Sequence, residues 1–165
     1  MMKKTPTLIV LVLAIIVSGY LYKKYRVAPS IKFDTLELTN LNGEPVKLQE
    51  FKGKKLFLNF YATWCGPCVG EFPSLNQAAE ILQKDNFIFI SISDEPLALL
   101  NNFAARINTP HILILHSNKK FHDFDVFTYP TNYVINTAGN IVFEKTGERD
   151  WSNNQVIEDL KHKAE

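Results

Sequence analysis

The chain holds only two cysteines, Cys65 and Cys68. They flank Gly66-Pro67 where an apolar run gives way to a helical pattern. This junction constrains the fold more than any other feature. Leu56–Tyr61 (LFLNFY) is mostly apolar, as a strand buried on both faces is. Pro67–Lys84 then places Val69, Phe72, Leu75, Ala78, Ala79 and Leu82 on one face of a helix. Phe87–Ile92 (FIFISI) is a second buried strand. Strand, helix and strand in succession predict a βαβ unit in a parallel sheet. Cys65 then falls at the helix N-cap, beside free backbone N–H groups and the positive end of the dipole. That setting favours thiolate over thiol. Cys68 lies one turn on, close enough for the two sulfurs to close a small ring. Gly66 allows a tight backbone, and Pro67 has no N–H to leave unpaired in the first turn. Cys65 is expected to be exposed and to attack; Cys68 is expected to be more buried and to resolve the mixed disulfide.

The rest of the chain extends this unit. Lys32–Leu38 alternates as a half-buried strand, Leu41-Asn42-Gly43-Glu44 is a turn, and Val46–Leu48 is a second short strand. Asp94-Glu95-Pro96 reads as a helix start, with a capping acid ahead of an early proline, and Leu97–Ile107 continues it. Ile112–Leu115 is a short strand, and Lys119–Phe127 a short helix or irregular turn. Thr131–Ile135 and Asn140–Lys145 form a hairpin, and Trp151–His162 closes the chain as a helix. A mixed central sheet with helices on both faces is the expected architecture.

Residues 1–26 have a different character. Thr5–Tyr22 is 18 residues without a charge, bracketed by Lys3 and Lys4 before and by Lys23, Lys24 and Arg26 after. As a helix it would extend about 27 Å, the thickness of a thin hydrocarbon core. Tyr20 and Tyr22 sit where interfacial aromatics belong. The reading is a single-pass signal anchor over 1–26 ahead of one domain over 27–165. Val17-Ser18-Gly19 resembles a signal-peptide cleavage site, so removal of the segment is the alternative. The flanking charges nearly tie, so they do not set the orientation.

Composition excludes several classes. Eighteen basic and seventeen acidic residues give a formal charge of +1, which is no polyanion-binding balance, so nucleic acid is not an expected partner. Two cysteines make neither a disulfide framework nor a four-thiolate zinc site. No nucleotide or flavin motif is visible, and no cofactor is expected. A copper or zinc site that borrows one of His111, His116, His122 or His162 is the alternative to redox chemistry. A peroxidase would want Thr-x-x-Cys, and Ala62-Thr63-Trp64-Cys65 lacks that spacing.

Taken together, Asn59–Cys68 (NFYATWCGPC), Leu41–Leu48 with Phe51–Lys54, Tyr129-Pro130-Thr131 and Ile135–Ile141 resemble the membrane-anchored disulfide reductases of the TlpA/ResA type, over roughly residues 31–160. The resemblance implies a thioredoxin-like three-layer α/β fold with an extra N-terminal β-hairpin. It implies a redox-active Cys65–Cys68 disulfide and a cis Pro130 that faces the sulfurs. Trp64, Gly66, Pro67, Tyr129 and Pro130 would border the protein substrate. Pro73 would be the proline that kinks the active-site helix. Asn59 takes the place of the buried Asp of thioredoxins proper. Glu95 matches an acid said to assist proton transfer, against the plainer reading of an acid in a first helical turn. The implied activity is reduction of disulfides in extracytoplasmic proteins, with electrons from a membrane donor of the DsbD/CcdA kind and cytochrome c maturation as a destination. Monomer is the default expectation. One departure is Gly66-Pro67, the dipeptide of thioredoxin itself, which points toward a reductant.

Overall fold

A computed structural model describes residues 12–15, 17–19 and 36–165. The chain divides into two units, residues 1–30 and 31–165, and the second carries the fold. The expected anchor over 1–26 and the strand expected from Lys32 lie largely outside the described residues. Among the described residues no helix is long and apolar enough to cross a membrane.

Among the described residues, seven strands form one mixed sheet: β1 (Leu38–Thr39), β2 (Pro45–Val46), β3 (Lys55–Phe60), β4 (Phe87–Ser93), β5 (Ile112–Ser117), β6 (Thr131–Ile135) and β7 (Ile141–Thr146). Their spatial order is β2-β1-β5-β4-β3-β6-β7. β3, β4 and β5 are parallel neighbours; β6 pairs antiparallel with β3, and β7 with β6. The near-continuous apolar runs LFLNF and FIFIS therefore occupy the centre, where both faces are covered. The β1–β2 hairpin turns at Gly43, whose φ of +84° suits a residue without a Cβ.

Within the described residues of the second unit there are three α-helices: α1 (Gly66–Leu82), α2 (Leu97–Ala104) and α3 (Asn154–Lys163). All three feed one core. Leu75, Ala79 and Leu82 of α1, Leu100 and Phe103 of α2, and Val156 and Leu160 of α3 meet Phe57 and Phe89 of the sheet. The opposite face packs Leu58, Phe60, Ile90, Ile92 and Tyr133 under Leu48, Phe121 and Phe124. Those last three come from short 3-10 turns, Leu48–Phe51 and Phe121–Phe124, so the cover on that side is not α-helical among the described residues.

Several boundaries differ from the sequence reading, among them Leu48, expected to end a strand and found in a 3-10 turn. The last helix starts at Asn154, because Asn153 Oδ1 accepts the Gln155 N–H and caps it; Trp151 lies ahead of the helix. α2 stops at Ala104, where the N–H groups of Arg106 and Ile107 both turn back to the Phe103 carbonyl. The acids before α2 do not cap it. Its N-cap is Pro96, Asp94 turns to accept the Phe121 N–H, and Glu95 turns to the active-site loop.

Candidate active site

β3 delivers Ala62-Thr63-Trp64 to the head of α1, and Cys65 is the N-cap residue, extended at φ −82° and ψ 102°. Cys65 and Cys68 are joined by a disulfide with Cα atoms 5.2 Å apart. The Cys68 N–H donates to Cys65 Sγ at 3.2 Å. Pro67 occupies the first turn, where its missing donor leaves nothing unsatisfied. Cys65, expected to be exposed, is buried in the disulfide with 7 % exposure, against none for Cys68. At Gly66 a Cβ would meet nothing within 4 Å and φ is not positive, so the turn accepts glycine without requiring it.

The Tyr129-Pro130 peptide is cis. The Tyr129 ring meets Trp64 edge-on, with centroids 5.9 Å apart, and Phe121 at 5.7 Å. Trp64 is 72 % exposed on the surface beside Cys65. Phe127, three residues before the cis proline, is 73 % exposed and was not singled out by the sequence reading. Pro73 lies inside α1 as expected.

Glu95 grips the loop ahead of Cys65. Its Oε2 accepts the Thr63 N–H at 2.6 Å and the Ser93 hydroxyl at 3.1 Å, and its Oε1 accepts the Thr63 hydroxyl at 2.9 Å. The carboxylate therefore steadies the strand-to-helix turn rather than a helix terminus. It also opposes ionisation of Tyr61, whose phenol burial already pushes far up.

A second carboxyl group, Glu71, lies one helical turn after Cys68 on the inward face of α1 and is 1 % exposed. Residues at i and i+3 on a helix are neighbours, with Cβ atoms roughly 5–6 Å apart. Three neutral donors hold it. Asn59 Nδ2 of β3 reaches Oε1 at 2.8 Å, Asn132 Nδ2 of β6 reaches the same oxygen at 3.3 Å, and Trp151 Nε1 reaches Oε2 at 3.0 Å. Asn59 and Asn132 face each other across β3 and β6 and share a hydrogen bond of 2.9 Å. Ser91 of β4 donates to Asn59 Oδ1 at 3.0 Å. Burial raises the Glu71 pKa, the Trp151 and Asn132 donors and the Arg149 backbone lower it, and the nearby Glu148 charge raises it; the outcome is about 7. The sequence carried a signal for this acid. Glu71 stands four residues before Leu75 and three after Cys68, in the middle of the stripe read as apolar.

The sequence profile of the AhpC/TSA family matches residues 28–144. The chain belongs to the AhpC/TSA family. Within it, the thiol-disulfide oxidoreductase ResA of Geobacillus kaustophilus is 31 % identical over 143 residues, which span 84 % of this chain and 82 % of the relative. ResA of Bacillus subtilis is 32 % identical over 113 residues, 67 % of this chain and 63 % of the relative. Among solved structures, the exposed lipoprotein thioredoxin of Streptococcus pneumoniae superposes with a TM-score of 0.66 at 22 % identity, over 76 % of this chain and 97 % of that one. StoA of Bacillus subtilis gives 0.58 at 21 %, over 80 % and 98 %. At those identities the structures show the thioredoxin-like fold. With the Cys65–Cys68 pair at the head of α1, this member of the AhpC/TSA family is a thiol–disulfide oxidoreductase. Among its described residues, no three or more His, Cys, Asp or Glu side chains gather as a metal site.

Proposed function

We propose that the protein is a membrane-tethered reductase of protein disulfides that works outside the cytoplasm. The single observation that carries the redox reading is the Cys65–Cys68 disulfide at the helix N-cap. Reduction of the pair places Cys65 beside the N-terminal N–H groups of α1, which favour its thiolate. That thiolate attacks one sulfur of a substrate disulfide. A Cys65–substrate disulfide forms, the substrate's S–S bond breaks, and the first substrate sulfur leaves as thiolate. Cys68 then gives its proton to the Glu71 carboxylate and attacks Cys65 Sγ. The Cys65–Cys68 bond re-forms and the second substrate sulfur leaves. Two electrons pass from the cysteine pair to the substrate, whose thiolates take protons from solvent.

We assign the proton to Glu71 because it stands one turn from Cys68 with a pKa poised near neutrality. Glu95, spent on Thr63 and Ser93, holds the loop. Trp64, Phe127 and Tyr129 offer apolar surface to the incoming segment, next to the Tyr129-Pro130 edge. Gly66 and Pro67 border the same face.

Support for tethering comes from the uncharged stretch Thr5–Tyr22 between basic clusters. An oxidising compartment would keep the pair oxidised, so a membrane dithiol donor of the DsbD/CcdA kind is proposed to restore it. Haem-attachment thiols are the proposed destination.

Trapping tests the reaction. The Cys68→Ser chain should accumulate a mixed disulfide with a disulfide-bonded substrate such as insulin, releasable by dithiothreitol. The Cys65→Ser chain should form none and turn over nothing. Equal trapping by both variants would contradict the assignment of Cys65 as attacking thiol.

A further inference from the structure

Trp151 lies outside the redox loop, between β7 and α3, and is fully buried. Two hydrogen bonds fasten it to one turn of α1. Its indole Nε1–H donates to Glu71 Oε2 at 3.0 Å, and its backbone N–H donates to Ser74 Oγ at 3.2 Å. Ser74 Oγ in turn donates to the Glu71 carbonyl at 2.9 Å. The ring is held from three sides. Phe57 meets it edge-on at 4.8 Å, Phe143 at 6.2 Å, and the Arg149 guanidinium lies 5.5 Å from its centre. The indole therefore cannot swing away from the carboxyl group without disturbing the core.

The chemistry of the donor matters. An indole N–H is a donor only, whereas the amides of Asn59 and Asn132 present an oxygen as readily as an N–H. Oε1 is gripped from the sheet and Oε2 from the C-terminal segment. The charged groups around Glu71 come from that same segment. Glu148 opposes its ionisation, and the Arg149 backbone favours it. The strands contribute only the neutral Asn59, Ser91 and Asn132. A cleft of about 470 Å³, bordered by Glu71, Ser74, Glu148 and Asp150, lies on this side.

We propose that Trp151 is a positioning residue for thiol–disulfide exchange: its indole N–H aims the Glu71 carboxylate and keeps it an acceptor for the Cys68 proton. This rests on the assignment of that proton to Glu71. The Trp151→Phe variant keeps the ring and removes the donor. The reduced full-length chain is mixed with oxidised glutathione, and decay of the glutathionylated Cys65 intermediate is followed by acid quench and mass spectrometry, which isolates the Cys68 step. Loss of the donor should move the acid limb of the decay profile up by about one pH unit, so decay is about tenfold slower below the midpoint and recovers at high pH. A role in packing alone would lower the melting temperature and leave the midpoint in place; that result overturns the proposal. In a Glu71→Gln background the Trp151→Phe change should shift nothing further. If Glu71→Gln by itself leaves the profile unmoved, the proton assignment fails and the proposal with it. If Trp151→Phe does not fold, the wild-type indole N–H resonance gives the answer, since Trp64 is the only other tryptophan. The Trp151 resonance should titrate with the acid limb and stop titrating in Glu71→Gln; a resonance indifferent to pH overturns the proposal.

Discussion

A carboxyl group enclosed among neutral donors ionises only against the loss of its hydration. Glu71 therefore links protonation to stability. Its pKa rises from 4.5 to about 7 in the folded chain. Below about 4.5 folded and unfolded states both hold the proton. Between 4.5 and 7 the folded state keeps a proton that the unfolded state has lost, so stability falls as pH rises across this window and levels off above it. The full effect is of order 3 kcal/mol at 1.36 kcal/mol per unit. Denaturant titrations of the oxidised protein from pH 4.5 to 7.5 should show that decline, and the Glu71→Gln variant should show it flattened. Cys65 and Cys68 were legible in the sequence because Gly66-Pro67 separates them at a strand–helix junction. Glu71 was not singled out, because a lone acid in an apolar stripe signifies little until its donors are known. Those donors, Asn59, Asn132 and Trp151, lie up to 80 residues away along the chain. Asn59 was noticed as a substitute for an Asp; in the structure it donates to the Glu71 carboxylate of α1.

At the scale of elements, the junction of β4 and α2 acts on the junction of β3 and α1. Glu95 leaves the end of β4 and binds both the backbone and the hydroxyl of Thr63, two residues before Cys65. A Glu95→Ala change leaves the Thr63 N–H without its acceptor, at a cost of about 1–3 kcal/mol. The denaturation midpoint should fall accordingly, and the Thr63 amide should exchange with solvent at least tenfold faster than in wild type. A local loosening of this kind should slow attack by Cys65 while leaving α3 protected. Most elements could be read from periodicity, since each central strand is an apolar run between turn signals. Their ends were harder. Trp151 reads as the first residue of a helix by its apolar spacing, yet the Asn153 cap starts that helix three residues later. The acids Asp94 and Glu95 read as caps because Pro96 follows them. Tertiary partners claim both side chains instead.

For the molecule as a whole, sheet order decides where chemistry can occur. β3 and β4 run parallel, so their C-terminal ends gather the Cys65 loop and Glu95 at one edge; β6 enters antiparallel and brings Tyr129-Pro130 to the same edge from its N-terminal end. Strand–helix alternation predicted a mixed α/β sheet, the resemblance to the TlpA/ResA-type reductases implied the thioredoxin-like form of it, and the structure bears out both. That α1, α2 and α3 share one core was not legible, because periodicity shows which face of a helix is buried but not which side of the sheet it covers. The central claim is that the Cys65–Cys68 pair serves as a reductant. Equilibrating the full-length chain with thiol buffers of defined potential tests it most directly. The account expects a single two-electron transition near thioredoxin's value, about −270 mV. A transition between about −180 and −120 mV, the range of oxidants and isomerases, would contradict it.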